Sequence, residues 1–301
     1  MLSNLFQTIL SSLPIYLSEE DDMGLILTQL REYARNDSAY NPPDYAVKQL
    51  HRLTRDYRDL PMGLLGGDMA FLLLLARLIK EEILEKPEGL LHMAYNIIKK
   101  NSTYFVNAPI QLDLRDRFYP FGVVMMSLLN TDEDTIERYV LEEQIIFRLC
   151  DCEKILTISI PSVYSPTELT AGILHSIGAF AALAEKHGVY PHKAKQIKEM
   201  VKMAPFDRTH SYLQDIIMLD LQCSREVSID PNEVNTETLL NLLNDAGRLS
   251  ICYDSKEFFL SVFTFCKKLC HDFIGLISNS NCSSSQLVGF ALGLDKLLYD
   301  D

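Results

Sequence analysis

Leu169-Thr-Ala-Gly-Ile-Leu-His-Ser-Ile-Gly-Ala-Phe-Ala-Ala-Leu-Ala-Glu-Lys-His-Gly188, followed by Val189-Tyr190-Pro191 and the lysine-rich stretch His192 to Met203, decides how the chain reads. Leu169, Ile173, Ile177, Phe180 and Leu183 step by threes and fours, which is helical spacing. Gly172, Gly178, Ala179 and Ala182 leave room for a neighbouring backbone to come close. A helix this apolar has to bury most of its surface. Gly188, just after Lys186 and His187, is a stop signal, and Pro191 suits the first position of a second helix. That second helix carries four lysines, so it suits an outer layer.

The same device recurs. Gly63 to Gly67 leads into Met69 to Arg77, and small residues surround Gly122 and Gly289 to Gly293. Gly67, Gly122 and Gly178 are spaced by about 55 residues, one long helical hairpin each. Met69 to Arg77 reads as inner, and Pro87 to Lys100 as outer. Hairpins of this kind close into an α/α toroid of paired inner and outer helices, or stay open as an α-solenoid. The expected fold is all-α, a single domain over residues 1–301.

Helix signals give expected boundaries near 2–13, 19–35, 43–58, 68–85, 87–100, 118–129, 132–147, 166–187, 191–203, 207–222, 236–246 and 254–299, the last broken near 280. Ser18 to Asp21, Ser165-Pro166-Thr167-Glu168 and Asp230-Pro231-Asn232-Glu233 supply N-caps, with Asn235 a rival to the last. Gly247 reads as a stop. Ile155 to Ile160 and, less cleanly, Ala108 to Leu114 alternate at period two and read as extended.

Composition narrows the function classes. The 28 basic and 41 acidic residues give a net charge of −13. Such a field repels phosphate backbones and attracts cationic peptides, so a peptide or protein partner, possibly basic, is expected and nucleic acid is not. The longest apolar run, Met69 to Ile79, contains Arg77 and is far short of the ~20 residues a membrane helix needs. Met1 to Leu17 has no basic residue and is broken by polar side chains, so no secretory signal is expected there. Seven cysteines then read as free thiols of a cytoplasmic protein.

Two stretches resemble the LanC-like family, lanthionine-forming cyclases and their relatives. Leu169 to Gly188 with its following turn and basic helix is similar to the family's inner helix, G-L-A-H-G-x-A-G. Ser250-Ile251-Cys252-Tyr253 is similar to S-W-C-Y-G-x-P-G, whose cysteine binds zinc. Gly63 to Ala76 and Gln286 to Leu298 are weaker echoes. The resemblance covers about a third of the chain and implies an α/α toroid with a zinc site that activates thiols. The departures are large. Asp254, Lys256 and Glu257 replace the glycines and proline, Ile251 replaces the tryptophan, and Leu174 rather than His175 aligns with the catalytic histidine. Aligned on Gly289, the family's final Cys-His pair becomes Ser284-Ser285.

The resemblance therefore implies a divergent LanC-like protein, binding a peptide or protein in lanthipeptide-type modification without a complete zinc site or cofactor. Cys252 would then open an inner helix as a lone thiol. The alternative is an active cyclase holding one Zn through Cys252, Cys270 and His271, with His175 as acid or base; Cys270-His271-Asp272 to Leu276 also resembles the family's C-H-G-x-x-G-L. Against that set, the chain from Asp254 to Gly275 has no helix breaker, which puts Cys266 and Cys270 one turn apart inside a single helix. His175, on a stripe of small residues, reads equally as a histidine satisfied across a close helix contact. A weaker alternative is a carbohydrate-active toroid using Glu19 to Asp22, which helix capping already explains. Asp113, Arg115, Asp116 and Arg117 are further loop candidates.

Overall fold

The computed structural model describes residues 2–13, 23–35, 44–60, 68–97, 136–158, 169–229, 234–253, 255–270, 272, 273, 275, 277 and 284–299. The fold is all-α, and among the described residues there is no strand. The helices are α1 (Leu2–Ser12), α2 (Met23–Arg35), α3 (Asp44–Asp56), α4 (Asp68–Lys80), α5 (Ile136–Ile158), α6 (Ala171–Lys186), α7 (Pro191–Met203), α8 (Leu213–Gln222), α9 (Thr236–Tyr253), α10 (Lys256–Leu269) and α11 (Ser284–Tyr299). Residues 90–97 are also helical. No helix among the described residues is long and apolar enough to cross a membrane. The chain forms two compact units, one of Met1–Asp56 with Asp220–Asp301, the other of Tyr57–Leu219.

The second unit contains residues 169–203. Twelve of the 16 residues of α6 are buried. At its start the Thr170 side chain accepts from the Ile173 amide, and the Ser211 hydroxyl accepts from the Ala171 amide at 2.8 Å. At its end Gly188 takes φ +73, the Gly188 amide donates to the Glu185 carbonyl, and the Val189 amide donates to the Ala184 carbonyl. That is the doubly bonded glycine stop, available without strain only to glycine. Helix α7 begins at Pro191 and buries one stripe, Ala194, Ile197 and Val201. Its lysines face outward, Lys198 to Glu185 at 2.6 Å and Lys193 to Glu153 of α5 at 2.8 Å. The pairing of a buried helix with a charged one therefore holds for α6 and α7.

In the first unit α11 is the centre, packed by α1, α2, α9 and α10. Phe259 and Phe263 of α10, Phe273 and Phe290 of α11 form an aromatic cluster with ring centroids 5.4 to 6.4 Å apart. Helices α9 and α11 meet at backbone distance. A Cβ on Gly247 would collide with the Gly289 carbonyl oxygen and lie 2.6 Å from its carbon; one on Gly289 would lie 2.8 Å from the Asn244 carbonyl carbon. Gly293 leaves room for the Phe259 ring, 2.5 Å from where its Cβ would be. Asn244 Oδ1 ties the contact by accepting from the Gly289 amide and from Arg248 Nε, both at 3.1 Å.

Several boundary expectations are corrected. Gly247 lies inside α9, because its use is close approach rather than termination. Ile155 to Ile158 is helical, since Leu156 extends the buried stripe Ile145, Leu149 and Cys152; packing overrides the alternation there. Helix α6 starts at Ala171, not 166, because Thr170 is the cap. Residues 207–212 form turns, as Asp207 accepts from the Thr209 amide at 2.7 Å and draws the chain out of helix. The long helix expected over 254–299 is divided. Ser255 caps α10, Cys270 is extended at φ −134 and ψ 117, and Asp272 Oδ1 accepts from the Gly275 amide at 2.9 Å as a new cap would. Asn235 does win the start of α9, accepting from the Thr238 amide at 2.8 Å. The segments 108–114 and 118–129 lie outside the described residues.

Candidate functional site

Two of the proposed zinc ligands, Cys252 and Cys270, belong to different parts of the described chain. Cys252 is in the last turn of α9, not at the start of an inner helix, and Cys270 is the residue that closes α10. The 14 residues of α10 lie between them. At 1.5 Å per residue that helix is ~21 Å long, whereas two thiolates on one zinc each sit ~2.3 Å from the metal. His271 lies outside the described residues. Among the described residues no group of three or more metal-ligating side chains comes together. Ser284 and Ser285 open α11. His175 is 2% exposed, held within the buried surface of α6. A general acid or base must come within hydrogen-bond reach of its substrate. Glu19 to Asp22 and Asp113 to Arg117 lie outside the described residues.

Thiol chemistry divides the same way. Burial pushes the Cys266 thiol up to about 12, with Cys270 adding to the effect, and raises Cys152 beyond the ordinary thiol range. Cys150, Cys223 and Cys270 are partly exposed. Maleimide labelling of the native protein at neutral pH should modify these three at least about tenfold faster than Cys152 and Cys266, since the thiolate reacts and burial suppresses it. Mass spectrometry of the labelled peptides locates the sites; early modification of Cys266 would show that the α10 interior is open.

The loop after α7 brings together Asp207, Thr209, His210 and Ser211, a cluster that the helical reading of 207–222 concealed. Asp207 Oδ1 accepts from the Thr209 hydroxyl at 2.6 Å, and its Oδ2 lies 2.5 Å from His210 Nδ1. Those two contacts, with the Thr209 amide, hold the Asp207 carboxyl well below the usual carboxylate range. Ser211 donates to the Asp207 carbonyl at 2.5 Å, and the Asp207 amide donates to the Leu169 carbonyl at 2.9 Å. The serine is spent on the backbone, so the set clamps the start of α6 and does not form a nucleophile and base.

The surface with binding potential is on α5. Its inner stripe is Ile145, Leu149, Cys152 and Leu156, all buried. On the opposite side Ile136 is 80% exposed, Tyr139 59%, Ile146 38% and Phe147 50%. At about 100° per residue these four fall within an arc of roughly 100° on one side of the helix, Ile146 and Phe147 at its two edges, over ~17 Å of its length. Exposed Glu143 stands in the middle of that face. Each such side chain gains roughly 1.5–3 kcal/mol on full burial, so a clustered row differs from scattered surface leucines. The sequence hid the row because α5 is apolar on two opposite sides, which cancels the one-sided periodicity that marks a helix.

Comparison of the chain with family models, curated proteins and solved structures finds no match.

Proposed function

We propose that this chain is a cytoplasmic peptide- or protein-binding protein of LanC-like organisation, an α/α toroid without a complete zinc site, acting in ribosomal-peptide modification. The observation that carries the binding role is the exposed apolar face of α5 in a chain of net charge −13. A buried helix followed by a basic one, as in α6 and α7, is the arrangement the resemblance implies. The separation of Cys252 from Cys270 by the length of α10 weighs against the cyclase alternative.

Protein purified without chelators tests the reading in two measurements. Metal analysis should find well below one zinc per chain. Incubation with a peptide bearing dehydrated Ser or Thr residues and a free cysteine should give saturable binding with no loss of free thiol. One zinc per chain together with thiol consumption would mark a working cyclase, because zinc delivers thiolate at neutral pH. Absence of any peptide binding would remove the binding reading itself.

A further inference from the structure

We propose that the outer face of α5 receives an amphipathic helix whose apolar stripe is interrupted by a lysine or arginine. The inference rests on the reading of the chain as a peptide-binding protein and assigns the surface and the chemistry of its partner. Ile136, Tyr139, Ile146 and Phe147 offer apolar contact over three turns, the length over which helix-in-groove partners place their anchors. Glu143 lies inside that row, not at its rim. A partner that covers the row covers Glu143 too, and a carboxylate removed from water needs a cation or it costs more than the apolar contacts return. Glu142 beside it is already ion-paired with Arg138 at 3.5 Å, so it is Glu143 that a partner's cation would meet, in a chain of net charge −13. Below Phe147 the outward positions become Lys154 and Thr157, both exposed, so the apolar row ends and limits the partner to the first half of α5.

The probes are two labelled model helices of about 18 residues, five turns, with identical leucine stripes. One carries lysine at every polar position and the other glutamate, and binding is read by fluorescence anisotropy on the full chain. The lysine peptide should bind at least about tenfold tighter. The double variant Tyr139→Ser, Phe147→Ser should weaken it at least tenfold, and Glu143→Lys should reverse the preference between the two peptides. Glu143→Lys changes only an exposed side chain, so it reports even if the double variant folds poorly.

Equal binding of both peptides would overturn the charge assignment. Binding of the lysine peptide that survives both variants would place the site elsewhere and sink the proposal while leaving a peptide-binding protein. A dimer that Phe147→Ser converts to monomer would mean a second copy covers this face, and a fall of many degrees in melting temperature would mean the chain covers it itself. Either result overturns the proposal.

Discussion

Gly247→Ala should destabilise the protein by at least ~3 kcal/mol, although alanine is the better helix former. Propensity alone favours the substitution by ~1 kcal/mol in a helix interior. Sterics oppose it more strongly. The new methyl would meet the Gly289 carbonyl oxygen and its carbon at 2.6 Å, and these atoms belong to a backbone that cannot rotate away. Relief requires α9 and α11 to move apart. That would loosen the bond from the Gly289 amide to Asn244 Oδ1, and the aromatic cluster beneath Gly293. Overpacking of this kind costs 1–3 kcal/mol when side chains can adjust, and more when backbone must shift.

Gly289→Ala should behave alike, and the two changes together should cost less than their sum because they break one contact. Gly188→Ala is the control. Its φ of +73 is unfavourable to alanine, but no atom lies within 4 Å, so ~1 kcal/mol is expected. Urea unfolding followed by circular dichroism measures all three. If Gly247→Ala proved as stable as the parent, the close approach of α9 and α11 would be wrong.

This contact also shows what was legible before the structure. Small residues at Gly289 and Gly293 signal close approach, and they deliver it. Gly247 read as a stop, and local sequence could not reveal its use in a contact because the deciding atoms lie on α11. Boundaries governed by local chemistry were readable: Gly188, Pro191 and Asn235 each act through residues at most five positions away. Asp272 was equally local and could have been recognised as a cap separating Cys270 from the following turn. The two-faced character of α5 was invisible for the opposite reason, since whether Ile145 or Ile146 turns inward depends on what packs there. Cys252 and Cys270, two residues of the zinc alternative, are separated in the chain by the 14 residues of α10. Cysteine spacing along a chain says nothing of separation until the intervening residues are known to be one straight helix.

Asp295→Ala should be the other severe substitution, costing ~3–5 kcal/mol. Asp295 and Arg31 form an ion pair at 2.8 Å with side chains 1% and 3% exposed, and Arg35 Nη2 donates to the same carboxylate at 2.9 Å. Removing the carboxylate takes from the buried Arg31 guanidinium the anion that faces it at 2.8 Å, so much of the desolvation cost of that cation is no longer offset. Arg35 suffers less, being 27% exposed and stacked over the Tyr299 ring with its guanidinium carbon 4.1 Å from the centroid. It can turn toward water and keep the cation–π contact. Replacing the pair together, Arg31→Met with Asp295→Leu, should recover most of the stability, because both desolvation costs vanish and the cavity stays filled. Thermal melts of the single and double variants decide between this account and a bland one. A surface-like ion pair would lose under ~1 kcal/mol on Asp295→Ala and gain nothing from the double change. A large single loss with recovery in the double variant would identify uncompensated charge, not lost attraction, as what binds α2 to α11 across 264 residues of sequence.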